Sequence, residues 1–357
     1  MLEQMLDTYG DSTVLALAGA VIGVLFGATA QQSRFCLRAA TVELYERKPG
    51  DRMAIWLLVF FSAMAVTQLA SVTGFLDTSL ARQIATRGSL SGAIIGGLMF
   101  GAGMILARGC ASRLLVLSGT GNMRALVTGL VVTLVAQASF RGVLAPLREN
   151  ISAVWTIEGG PARDLAQVLG LSPATPLILA GVGLTLAIAL SLRARVTWGR
   201  RLSALAVGLA VALGWVATYA IATTSFEVVA VSSVTFTGPS TDTLMALVTE
   251  PNIQMSFGIG LVPGVFLGSA LTAALRREWK VERFGPDTPM ERYLIGAVLM
   301  GFGAMLAGGC AVGAGVSGGA ILSMTAWVAA ISMWLGSFLM QALLAIASRK
   351  RTQASLV

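Results

Sequence analysis

Nine mostly apolar stretches of about 18–20 residues follow one another along the chain, at about 13–30, 54–73, 90–107, 123–140, 175–192, 203–222, 254–274, 290–307 and 322–346. As a helix, each is long enough to cross the ~30 Å hydrocarbon core of a bilayer. A backbone immersed in lipid must satisfy its own hydrogen bonds, which leaves helices and closed barrels as the spanning structures. The pattern predicts an all-α integral membrane protein of about nine transmembrane helices. Only 12% of the residues are charged, half the ~25% of a soluble domain, so lipid is the solvent for much of the surface. No polar stretch is long enough for a soluble domain, and 1–357 reads as one polytopic membrane domain.

Charge then orients the chain. Basic residues gather after the first stretch (Arg34, Arg38, Arg47, Lys48, Arg52), after the fifth (Arg193, Arg195, Arg200, Arg201), after the seventh (Arg276, Arg277, Lys280, Arg283, Arg292) and at the C-terminus (Arg349, Lys350, Arg351). The N-terminus carries Glu3, Asp7 and Asp11 without Lys or Arg, and the sixth connection carries Glu227, Asp242 and Glu250. Basic loops stay in the cytoplasm. Nine crossings with the N-terminus outside and the C-terminus cytoplasmic put all four basic segments there, in a bacterial inner membrane. The net charge of +8 is thus a membrane-topology signal, and no nucleic acid is expected. The acidic N-terminus lacks the basic region of a signal peptide, so the first stretch is read as retained. The connections 141–174 and 223–252 read as short interfacial pieces.

The most informative motif is a repeat. "IIGGLMFGAGMILARGCA", 94–111, aligns without a gap on "LIGAVLMGFGAMLAGGCA", 294–311, at an offset of 200. Gly109 and Cys110 match Gly309 and Cys310. "GVLFG" followed by Cys36 is a fainter echo at an offset of 74. An odd number of helices between the two strong copies makes them run oppositely, as in the inverted repeats of transporters. The halves are then about 13–140 and about 253–347, with a linker and middle helices at about 141–252. Small residues let helices approach closely, and irregular backbone at membrane depth is tolerated where it lines a cavity. Re-entrant or broken glycine-rich segments would bring the two Gly–Cys elbows towards the midplane from opposite faces.

A single membrane cysteine is ordinarily a small packing residue, and arginines at a helix end ordinarily snorkel to the interface. Two cysteines at equivalent repeat positions weaken the first of these readings. If the elbows line a pore, Arg108 and Arg113 would concentrate anions at its mouth, and Ser112 lies between Cys110 and Arg113. Because the second copy lacks these arginines, one mouth would be charged and the other neutral. Thiols are weak, soft donors that suit a soft sulfur-bearing anion which must bind and then leave. The three cysteines form no C-x-x-C and the chain has no histidine, so neither a metal site nor a cofactor is expected. No phosphate-binding loop is present, which excludes direct use of ATP. No carboxylate falls in a helix centre, so channel-like passage is the simplest coupling.

The stretches "GVLFGATAQQSRFC", "GGLMFGAGMILARGCASRLLVLSGTGNMRAL", "TFTGPSTD", "VPGVFLGSALTAALRREW" and "MGFGAMLAGGCAVGAGVSGGA" resemble the YeeE/YedE membrane family, from about residue 19 to 345. The resemblance implies an hourglass-like uptake protein for thiosulfate or a related small sulfur anion. It implies that three cysteines, by position Cys36, Cys110 and Cys310, relay the anion through weak S–H hydrogen bonds, without enzymatic turnover. Some relatives work with a small TusA-like sulfur carrier marked by C-P-x-P. This chain has no such motif, so any carrier would be a separate protein. Carriage of another sulfur or selenium species, a membrane thiol or persulfide oxidoreductase, and an accessory subunit are the competing readings.

Overall fold

The computed structural model describes residues 2–48, 50–249, 254–285 and 289–354. Glu250 lies outside them, as do the side chains of Arg349, Lys350 and Arg351. Helices dominate. α1 (Leu2–Tyr9) leads into α2 (Asp11–Ser33), then α3 (Leu37–Tyr45) and α4 (Asp51–Val72). The short α5 (Arg82–Ala85) precedes α6 (Leu90–Leu106), α7 (Ala111–Gly119) and α8 (Met123–Arg141). α9 (Ala145–Ala153) and α10 (Leu165–Val168) break up the next connection, which also pairs β1 (Gly88–Ser89) antiparallel with β2 (Thr156–Ile157). α11 (Thr175–Arg193), α12 (Trp198–Thr224), α13 (Thr237–Thr249), α14 (Phe257–Leu275), α15 (Met290–Leu306) and α16 (Met324–Ala354) complete the chain. Starts are set by side chains that accept the orphan first-turn N–H groups: Ser89 from Gly92, Asn122 from Ala125 and Ser256 from Ile259.

Among the described residues, eight helical spans are long and apolar enough to cross a membrane. They include the near-continuous α2–α3 and α6–α7. The ninth expected crossing is α15, whose 17 residues reach about 26 Å at 1.5 Å per residue. Short of a full crossing, it is extended by a π-turn, Gly313–Gly318. The protein is an all-α integral membrane protein.

Two glycine-lined seams organise the interior. In the first, Gly19, Gly23 and Gly27 of α2 meet Gly260, Gly264 and Gly268 of α14. A Cβ on Gly23 would collide with the Leu261 carbonyl, and one on Gly264 with the Ala20 carbonyl. Contact positions rise together along both helices, so they run side by side in the same direction. Close backbone approach of this kind is what small-xxx-small spacing permits. In the second seam, a Cβ on Gly96 would stand 2.5 Å from the Ala307 amide, and one on Gly296 would stand 2.6 Å from the Ala107 amide. Here positions rise in opposite senses, so α6 and α15 are antiparallel. Each also packs against the last helix of the other segment. Gly101 meets Met333 and Ser337 of α16, and Gly301 meets Val132 and Val135 of α8.

The connection 142–174 does consist of short pieces at one face. The 223–252 connection does not stay at the interface. Its stretch from Val231 to Thr237 enters the protein, with Val234 fully buried and Phe236 packed at a tilt against Phe26, ring centroids 5.1 Å apart. Hydroxyls of its own and of the elements around it explain how an extended segment survives there. Ser233 Oγ donates to the Val211 carbonyl (2.6 Å), Ser317 Oγ to the Val234 carbonyl (2.6 Å), and Thr218 Oγ1 to the Ser232 carbonyl (2.6 Å). α13 then carries the chain back out.

Candidate functional site

Each cysteine sits at the same local device. Arg34, Arg108 and Gly308, two residues before Cys36, Cys110 and Cys310, have φ of 57°, 55° and 76°. This left-handed residue ends the preceding helix, and the cysteine begins the next helical segment. Cys36 is the N-cap of α3 and Cys110 that of α7. The Cys310 sulfur accepts the backbone N–H of Gly313, three residues on, at 3.5 Å. At Cys310 a thiol thus does the work that a serine hydroxyl or aspartate carboxylate does at ordinary helix starts. It holds sulfur at the positive end of a helical turn. The faint echo at Cys36 is therefore the same structural unit as the two strong copies.

The structure brings four of the expected residues together. The starts of α3 and α7 are neighbours, which makes Cys36 and Cys110 close, interacting thiols within reach of the Arg113 guanidinium. Ser112 Oγ is 3.3 Å from Cys110 Sγ. Cys110 is 1% exposed, whereas Cys36 is partly accessible. Arg113 Nη1 donates to Gln31 Oε1 (3.4 Å), and Gln31 Nε2 donates to Glu278 (3.4 Å). Gln31 is a buried member of this cluster that sequence reasoning passed over, although "QQSRFC" places it five residues ahead of Cys36.

Cys310 stands apart from that group. Because α6 and α15 are antiparallel and in register around Gly96–Ala307 and Ala107–Gly296, Cys110 lies towards one end of the pair and Cys310 towards the other, each elbow still alongside the start of the partner helix. Both helices break while still alongside their partner, and the two Gly–Cys elbows stay apart along the seam. The neighbours of Cys310 are Gly313 and Thr235, whose Oγ1 is 4.0 Å from the sulfur. Thr235 belongs to "TFTGPSTD", the segment expected at the interface. Its inward path is what supplies the contact. Gly109 and Gly309 form the elbows themselves, with Gly309 packed tightly on the Ala314 amide.

Recesses flank the two stations. On the face holding the Cys36–Cys110 pair, a cavity of about 600 Å³ is lined by Arg34, Arg52, Arg113, Arg277 and Lys280 together with Gln31. A second, of about 340 Å³, is lined by Arg38, Arg108 and Arg124. Arg108 and Arg113 therefore serve separate recesses. On the opposite face, a cavity of about 530 Å³ reaches Gly308, Gly309 and Thr235 and is lined by Arg82 and Arg148 together with Asp11, Glu227 and Asp242, and an adjoining one of about 520 Å³ reaches Gly308 and is lined by Arg82, Arg87, Arg148 and Arg163 with Glu149. The expected neutral mouth beside the second copy is thus corrected. Its charge comes from Arg82, Arg87, Arg148 and Arg163, outside the repeat, where alignment of the two copies could not find it. No group of three or more potential metal ligands occurs among the described residues.

A loop closes over the first two recesses. Lys280 N–H donates to the Thr120 carbonyl (3.1 Å), Glu282 N–H to the Gly121 carbonyl (3.2 Å), and Met123 N–H to the Glu282 carbonyl (2.9 Å). The Glu282 carboxylate accepts from Asn122 at 2.5 Å and pairs with Arg124.

The family model described as sulphur transport matches residues 32–339. The chain is 28% identical over 346 residues to the thiosulfate transporter TsuA of Escherichia coli K12, covering 90% of this chain and 92% of that one. It is 29% identical over 340 residues to the thiosulfate transporter TsuA of Spirochaeta thermophila, covering 90% and 97% respectively.

Proposed function

The chain belongs to the sulphur-transport family, and from that premise we propose that it takes up thiosulfate across the bacterial inner membrane. The observation that carries the reading is the threefold elbow: three thiols, each at a helix start, distributed on the two sides of the α6–α15 seam. The relatives' substrate supports it as well. The single polytopic domain comprises two half-repeats. The N-terminus lies outside and the C-terminus in the cytoplasm, with the α1 face meeting the anion first.

The anion gathers in the recess lined by Arg82, Arg87, Arg148 and Arg163, whose positive field raises its local concentration. It reaches Cys310 past Thr235. It then passes to the Cys36–Cys110 pair, where Arg113 faces it, and leaves through the basic recess beyond. Thiols hold it because they are weak donors. A row of arginines at membrane depth would bind a dianion too tightly to release it, whereas one arginine with two thiols balances attraction against exit. Gly109 and Gly309 keep the elbows narrow. Ser112 orients the Cys110 thiol, and Arg108 collects anions in the neighbouring recess. No catalytic turnover is involved. A separate TusA-like carrier on the cytoplasmic side would consume the product and pull passage inward.

Growth of cells that depend on thiosulfate as sulfur source and lack other uptake routes tests this. Cys110→Ala abolishes growth on limiting thiosulfate while the protein still reaches the membrane. Full growth of that variant sinks the relay. Competition by sulfate, sulfite, thiosulfate and selenium oxyanions in proteoliposomes identifies the cargo: thiosulfate must compete best.

A further inference from the structure

Two neighbouring thiols can do more than donate weak hydrogen bonds. We infer that Cys36 and Cys110 form a two-electron dithiol that reduces sulfur–sulfur-bonded oxyanions of the polythionate class, tetrathionate being the simplest. The inference rests on the uptake reading for one point, the access of a sulfur dianion to the pair. The geometry supplies the rest. The thiols are close neighbours, each at the start of its own helix, and Arg113, three residues after Cys110, reaches Gln31, five before Cys36, at 3.4 Å. Arg113 faces both, and it lines the roughly 600 Å³ recess that opens beside them. Cys36 is partly accessible and Cys110 is buried, which is the division between an attacking and a resolving thiol. Cys310, with Thr235 and Gly313 for neighbours, takes no part.

The steps balance. The Cys36 thiol gives its proton to water in the recess, and its thiolate attacks an inner sulfur of tetrathionate. One S–S bond breaks, and thiosulfate leaves with the electron pair. The Cys110 thiolate, its proton likewise lost to water, attacks Cys36 Sγ. The bond from Cys36 to the bound thiosulfate breaks, and a second thiosulfate leaves. Two thiols and one tetrathionate dianion give one disulfide, two thiosulfate dianions and two protons. Thiol–disulfide exchange runs fastest when the leaving group is a weakly basic thiolate, and thiosulfate is one. Here the leaving group is also the anion that the site is proposed to pass. The disulfide ties α3 to α7 and blocks passage until a thiol reductant reopens it, so the dithiol makes oxidised sulfur anions brakes on uptake of the reduced one.

Purified full-length protein in detergent is treated with tetrathionate, and intact mass and released thiosulfate are measured. The unsubstituted protein should lose two hydrogens and release two thiosulfates per chain, with peptide mapping placing the disulfide between Cys36 and Cys110. Cys310→Ser should behave identically. Cys110→Ser should stop at a thiosulfate adduct on Cys36 with one thiosulfate released, and Cys36→Ser should react at least roughly tenfold more slowly, since the exposed thiol is lost. Two retained thiols, or a disulfide mapped to Cys310, would overturn the proposal, and mapping on unsubstituted protein needs no variant to fold. Transport is read separately. Protein that forms the disulfide but moves no thiosulfate into liposomes overturns the uptake reading alone, and protein that transports but keeps both thiols overturns the dithiol alone.

Discussion

The left-handed residue two places ahead of each cysteine turns the chain sharply enough for a thiol to begin a new helix. Glycine adopts that conformation freely, and other residues pay about 1–2 kcal/mol for it. At Gly308 a Cβ would find open space, so backbone strain is the whole cost of adding one. Gly308→Ala should destabilise by about 1 kcal/mol, and Arg108→Gly should stabilise by a similar amount, in denaturant titrations of purified protein. Equal losses from both changes would mean that side-chain contacts govern the elbows. The repeat made Cys110 and Cys310 legible from sequence, and the elbow itself was legible in part, through Gly109 and Gly309. Its key position was hidden, because arginine occupies it at residues 34 and 108. Thr235 and Gln31 could not be found at all: their role depends on which segments fold inward, a tertiary fact without local signature.

At the scale of elements, the seams discriminate between glycines that are needed and glycines that are not. Gly23 and Gly264 face carbonyls of the partner helix, whereas Gly181 in α11 has nothing within 4 Å. Gly264→Val should prevent accumulation of folded protein, as judged by size exclusion in detergent. Gly181→Ala should be neutral or stabilising by up to ~1 kcal/mol, because alanine is the better helix former. A folded, monodisperse Gly264→Val protein would contradict the close approach of α2 and α14. Hydropathy located the spans to within a few residues and marked α15 as short. It could not tell that 231–237 enters the protein, since a buried extended segment and an interfacial one share the same Ser/Thr-rich composition. The hydroxyls that bond Val211, Val234 and Ser232 settle the matter only once those carbonyls are in place.

Across the whole molecule, basic recesses at both faces make collection of an anion an electrostatic process. Exposed charges are screened over about 10 Å at 0.1 M salt. Initial uptake by proteoliposomes at limiting thiosulfate should fall severalfold as inert salt rises from roughly 0.05 to 0.5 M. A flat profile would show that the recesses do not concentrate the anion. The clasp between Glu282 and the Asn122–Arg124 turn joins the two segments at one face. It is partly solvent-exposed, so Glu282→Ala should lower stability by only about 1 kcal/mol. The exchange of partners, α6 with α16 and α15 with α8, bears on how such a protein can be made. During synthesis α6 enters the membrane long before its glycine face has anything to cover it. At ~5–20 residues per second, α16 follows only tens of seconds later. For that interval the first segment is an unfinished surface in lipid, exposed to wrong partners, and an insertase or neighbouring lipids must shelter it. Expressed as two separate polypeptides, the halves should therefore rescue each other when made together, and neither should persist when made alone.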